Sequence, residues 1–170
     1  MVFLFKNIKF NIFKLIPLIL LFFISLNGNS VIDFNLFSIN LHYILIYYWV
    51  LKRPQALGYG FIFLSGIITD VVFGLPMGVT ALTLMVVAAV AAYIRFVTVR
   101  PGLMSDWISF IFALLIANFV YFVTLYYSNY SIDYLYQLKN SLFTFMSYPI
   151  LWLFFQGILN LIKSSLEEDN

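Results

Sequence analysis

The chain has 170 residues, of which 64% are hydrophobic and only 9% charged, against roughly 25% charged in a soluble domain, so composition alone places it in a membrane. Its formal net charge of +2 carries little by itself, because in such a protein the positions of Lys and Arg matter more than their sum. With no cysteine there is neither a disulfide framework nor a thiolate metal site. Six crossings of about 20 residues each would take ~120 positions, which leaves loops and tails and no room for a soluble catalytic domain.

Residues 1 to 14 mix Phe3, Phe5, Phe10 and Phe13 with Lys6, Lys9 and Lys14. This suits either a short segment lying on an anionic membrane surface or a plain basic flank. The run Leu15 to Leu26 follows, and the polar stretch Asn27-Gly28-Asn29-Ser30 lacks a small-x-small cleavage site. It reads as a retained first helix, with Pro17 near its start where a missing donor costs least. A loop from Asn27 to about Asn35 carries Asp33 and no basic residue. Helix two is expected over 36–51, ending at Lys52-Arg53-Pro54, with His42 read as an ordinary interfacial or packed histidine.

Helix three is expected over 55–73 and helix four over 79–99, joined by a tight turn from Gly74 to Gly78. Stepping by four through this region gives Gly58, Ile62, Gly66, Asp70, Gly74 and Gly78, which puts the small residues and the one acid on a single narrow face. Helix four carries Ala81, Ala88, Ala89, Ala91 and Ala92, a spacing that suits close helix packing. The turn after it is expected to hold Arg95, Arg100, Pro101, Gly102 and Asp106. Helix five is expected over 107–127 and helix six over 136–162, kinked at Pro149. The fold class expected is therefore all-α, one polytopic domain of six transmembrane helices spanning 1–170.

Orientation follows from the basic residues. With a cytoplasmic N-terminus, Lys6, Lys9, Lys14, Lys52, Arg53, Arg95, Arg100 and Lys163 fall inside and only Lys139 outside. That bias puts both termini in the cytoplasm. It also puts Asp70 about 24 Å from the cytoplasmic side, sixteen residues beyond Pro54 at ~1.5 Å each, and Arg95 in the opposite leaflet. A carboxylate in an apolar helix costs ~2.5 to 3.5 kcal/mol at the bilayer centre, so Asp70 needs a partner. The nearest donors are the backbone N–H groups around Gly78, Val79 and Thr80, where the helix dipole also favours negative charge. Asp70 is expected to cap helix four across the turn; the competing reading makes it a proton or substrate site of a small transporter.

No nucleophile and base pair, phosphate loop or zinc motif is present, so no catalytic, cofactor or metal residue is expected, and the basic residues at helix ends do not point to nucleic acid. The thirteen residues Gly66-Ile67-Ile68-Thr69-Asp70-Val71-Val72-Phe73-Gly74-Leu75-Pro76-Met77-Gly78 resemble the G-L-x-x-D-x-x-x-G-x-P-x-G core of the rod shape-determining protein MreD family, with Ile67 in place of the usual Leu. The basic residues and Pro54 ahead of it, and the overall length, also fit. The resemblance implies a non-enzymatic inner-membrane component of the bacterial cell-elongation machinery. Its expected partners are MreC and, through it, MreB, RodA and the elongation transpeptidase. It further implies a fold similar to the substrate-binding subunits of energy-coupling-factor transporters, which keeps a vitamin-like binding or transport subunit as the alternative. Helix one, however, has no Ala and so no Ala-x-x-x-Ala docking motif. The surface that would meet MreC, whether the glycine face or the aromatic faces of helices five and six, and any homo-oligomer, stay open at this point.

Overall fold

A computed structural model describes residues 15–27, 31–34, 37–98, 102–130 and 133–167, with side chains followed at 15–27, 39–98, 102–130 and 133–160. The segment 1–14 and Arg100 lie outside the described residues. Six helices are described: α1 (Leu15–Leu26), α2 (Leu41–Lys52), α3 (Tyr59–Phe73), α4 (Val79–Val97), α5 (Leu103–Tyr127) and α6 (Tyr134–Glu167). Three helical stretches, Val79–Val97, Leu103–Tyr127 and Tyr134–Asn160, are long and apolar enough to cross a membrane, whereas α1 and α3 are apolar but shorter. The chain is thus a helical membrane protein.

Several boundaries depart from the sequence reading, each for a local reason. Between α1 and α2 the chain forms an antiparallel hairpin, β1 (Val31–Phe34) with β2 (Phe37–Asn40), where a loop was expected. The strand therefore takes residues assigned to helix two, which starts at Leu41. Asn40 makes that start: its carbonyl oxygen Oδ1 accepts from Tyr43 N at 3.3 Å, and its own N–H donates to Thr144 Oγ1 of α6 at 2.8 Å. Helix α3 begins at Tyr59 and not at Gln55, because Pro54 to Leu57 form a turn and Gly58 is the cap. Helix α5 begins at Leu103, so Asp106 lies in its first turn and not in the preceding loop. Arg95 lies in the last turn of α4. Pro149 is inside α6, which continues through it to Glu167.

The core centres on α2, where every residue from His42 to Leu51 is buried. Helices α4, α5 and α6 pack around it, and α3 packs on α4. On α4 the inward face is Ala81, Leu84, Val87, Ala88 and Ala91; Ala89, grouped with the packing alanines by spacing, is exposed. An aromatic layer joins α2, α5 and α6: Phe110 stacks on Tyr148 with ring centroids 4.5 Å apart, Tyr47 lies 4.9 Å from Phe110, and Tyr48 lies 5.2 Å from Phe155. Such pairs add about 0.5–1.5 kcal/mol each beyond area burial, which matters where lipid is as apolar as the core.

Candidate functional site

The motif residues meet at the α3–α4 turn. Helix α3 ends in a Schellman arrangement: Gly74, at φ 64°, donates to Val71 O at 3.4 Å and Leu75 donates to Asp70 O at 2.9 Å. The left-handed conformation at Gly74 is open to glycine without strain, and Pro76 two residues later bars continuation of the helix. Gly78 takes φ 98° as the N-cap of α4 and lacks a side chain to cap it. Asp70 supplies the cap from the other side of the turn. Its Oδ2 accepts from Gly78 N and its Oδ1 from Thr80 N, both at 2.8 Å, with the residue fully buried. One residue thus closes both helix ends, its carbonyl the end of α3 and its carboxylate the start of α4. This is the cap expected from the sequence, and it places the charge at the positive end of the α4 dipole.

One turn before Asp70, Gly66 faces α4. A methyl group on Gly66 would sit 2.6 Å from Ala81 N and overlap the Ala81 Cα. The two backbones are therefore in direct contact, a spacing only glycine permits at this crossing. Gly66, Asp70, Gly74, Pro76 and Gly78 consequently form one structural unit, with Gly66 setting the helix separation and the other four setting the turn.

At the opposite end of the bundle lies a second buried carboxylate that the sequence reading placed in a loop. Asp106 Oδ2 is 2.6 Å from Lys52 Nζ at the end of α2 and accepts from Trp152 Nε1 of α6 at 2.9 Å. Lys52 also lies 5.7 Å above the centroid of the Trp152 ring. One level further in, Tyr47 Oη is 2.8 Å from Ser109 Oγ, and Tyr48 Oη donates to Gln156 Oε1 at 2.9 Å. Lys52, expected only as a residue that sets topology, is thus also an ion-pair partner that ties α2 to α5 and α6. Arg53 caps the C-terminus of α2 and Arg95 is exposed in the last turn of α4. An acid in a helix's first turn is a start signal, and Asp106 used in that way would have pulled the start of α5 back to Leu103.

His42 is packed, as expected. Its Nε2 lies 3.1 Å from Ser25 Oγ and 3.4 Å from Leu21 O, while Ser25 Oγ donates to Leu21 O at 2.9 Å. With the serine proton on Leu21 O, both neighbours of Nε2 are acceptors, which assigns the ring proton to Nε2 and leaves Nδ1 as a bare acceptor. Activation of a serine requires the opposite polarity, with its proton directed at the imidazole. Among the described residues no group of three or more His, Asp or Glu could hold a metal ion.

Comparison of the chain with protein-family models, with curated proteins and with solved structures returns no match.

Proposed function

We propose that the chain is a non-enzymatic, MreD-like component of the bacterial cell-elongation complex, a membrane scaffold that binds MreC. What carries this reading is the α3–α4 turn: Gly66, Asp70, Gly74, Pro76 and Gly78, five of the residues on which the resemblance rests, build it, with the Gly66–Ala81 backbone contact and the two Asp70 bonds to Gly78 and Thr80 at its centre. The buried carboxylates are committed in the same manner, Asp70 to backbone donors and Asp106 to Lys52 and Trp152. That use of acids is architectural and not that of a proton route, which strings several ionisable groups through the bilayer interior. In this reading α1, α2 and α3 count as crossings too, giving six on the plan of the energy-coupling-factor substrate subunits. The membrane is the inner membrane. Both termini are cytoplasmic, because Lys52, Arg53 and Arg95 lie at the end away from Asp70.

The test is affinity capture of the tagged full-length chain from gently solubilised membranes. Recovery of MreC with the wild-type chain is the expected result. Its absence, or recovery of a transporter ATPase in its place, overturns the proposal.

A further inference from the structure

The two turns at the Asp70 end of the bundle stand at different depths. Charged groups mark the opposite boundary for each helix: Lys52 and Arg53 just before α3, Arg95 in the last turn of α4 and Asp106 in the first turn of α5. From Asp106, α5 runs twenty residues to Tyr126, about 30 Å, the full hydrocarbon thickness. Tyr126 and Tyr127 are exposed there, and the connection beyond them is polar, with Ser128, Asn129 and Asp133, as at a membrane interface. Helix α4 reaches only sixteen residues, about 24 Å, from Arg95 to Val79, and α3 only fourteen, about 21 Å, from Tyr59 to Phe73. Both fall about 6 to 9 Å short of the level that α5 attains.

The composition of the α3–α4 turn agrees with that depth. Val71 to Val79 carries no polar side chain, and Val71, Val72, Phe73 and Met77 are exposed, Met77 at 76%. A turn in contact with water draws on Ser, Asn or Asp, as the one after α5 does. The start of α4 is a second, independent observation. At a wet surface water can serve the first N–H groups of a helix, but here they are supplied from within. Gly78 N and Thr80 N donate to the fully buried Asp70 carboxylate, and Val79 N donates to Pro76 O at 3.3 Å. Internal pairing of this kind is what hydrocarbon demands of a backbone.

We propose that the α3–α4 turn is immersed in the acyl region and covered by phospholipid chains, so that the leaflet at the Asp70 end dips about 6 to 9 Å along α3 and α4. The exposed side chains of the turn are the surface that holds those chains. This holds whichever protein binds the chain, and a partner that touches the motif does so from within the membrane.

Because the chain has no cysteine, single substitutions report cleanly. Met77→Cys at the tip of the turn is compared with Ser128→Cys, exposed in the polar turn, and with Leu115→Cys, 62% exposed in the middle of α5. Purified full-length chains in unsealed sheets of dioleoyl phosphatidylcholine are treated with a charged, hydrophilic thiol reagent, and rates are read on protein that elutes as the wild type does. Apolar surroundings suppress the thiolate, so Met77→Cys is expected to react at least ~10-fold more slowly than Ser128→Cys and within about threefold of Leu115→Cys. A rate for Met77→Cys equal to that of Ser128→Cys puts the turn in water and overturns the proposal. The same three positions, labelled with a fluorophore, are then exposed to lipid brominated in its acyl chains, which is expected to quench Met77 and Leu115 more than Ser128. A Met77 position that is slow to react but unquenched is covered by a second copy of the chain and not by lipid, which overturns the proposal equally. Should Met77→Cys fail to accumulate, Val72→Cys on the α3 side of the same turn decides the outcome.

Discussion

Replacing Asp70 by leucine removes the acceptor of two backbone N–H groups while keeping side-chain volume nearly constant. The donors, Gly78 and Thr80, are half-buried, so each orphaned N–H falls toward the lower part of the ~1–3 kcal/mol range for an unsatisfied buried group. Loss of a negative charge from the N-terminus of α4 adds about 0.3–1 kcal/mol. The sum is about 2–4 kcal/mol. Asp70→Asn keeps one acceptor oxygen but turns an NH2 toward the other donor, so its cost is about half as large, roughly 1–2 kcal/mol. Equilibrium unfolding of the purified protein in mixed micelles, driven by rising denaturing detergent, measures both. A leucine variant within about 0.5 kcal/mol of wild type would refute the capping argument, since that is the scatter of ordinary surface substitutions. An asparagine variant as damaged as the leucine one would shift the explanation from hydrogen bonds to the charge alone.

Gly66→Ala pushes a methyl into the Ala81 backbone, which has no flexible end to yield, so a loss at or above the ~3 kcal/mol end of the overpacking range is expected in the same unfolding assay. Gly157→Ala, with nothing within 4 Å of its added methyl, is the control and gains about 0.5–1 kcal/mol from helix propensity. Gly74→Ala meets no atoms either, so its cost is the backbone term alone, about 1–2 kcal/mol, and Gly74→Asn is milder; equal stability of all three would remove the positive φ as the reason for glycine. At the other end, Lys52→Met leaves Asp106 buried beside Trp152 without its cation and costs about 3–5 kcal/mol, whereas Lys52→Met with Asp106→Leu recovers most of that loss. A double-mutant cycle with coupling below about 0.5 kcal/mol would show that the pair does not lock α2 to α5.

Much of the Asp70 site was legible in the sequence because its chemistry is local. Glycines at four-residue spacing, an acid among them and a proline after the last turn specify a helix end, and the donors that satisfy Asp70 lie only eight and ten residues away. Asp106 escaped for the opposite reason. Its cation is Lys52, fifty-four positions earlier, and its indole donor is Trp152, forty-six later, so no window along the chain contains the cluster. The late start of α2 was missed because Phe37 to Asn40 abuts the apolar run Leu41 to Leu51 with no Gly or Pro between them; the pairing with Val31 to Phe34 and the bond from Asn40 to Thr144 mark the strand.

Sequence by itself determined that the chain lives in a membrane, where its apolar segments run, that the turn from Gly74 to Gly78 is tight, and that the backbone donors at the start of the next helix are the nearest partners for Asp70. Only the tertiary structure decided which apolar segment is enclosed. Helix α2 is buried from His42 to Leu51 while α5 and α6 expose Leu115, Phe119, Ile150 and Leu153, yet none of the three separates a distinct apolar face from a polar one along its sequence. In water an enclosed helix is distinguished by polar residues on its neighbours' outer faces. In a bilayer lipid and protein interior make the same demand on a side chain, so hydropathy marks the segments without revealing which of them the others surround.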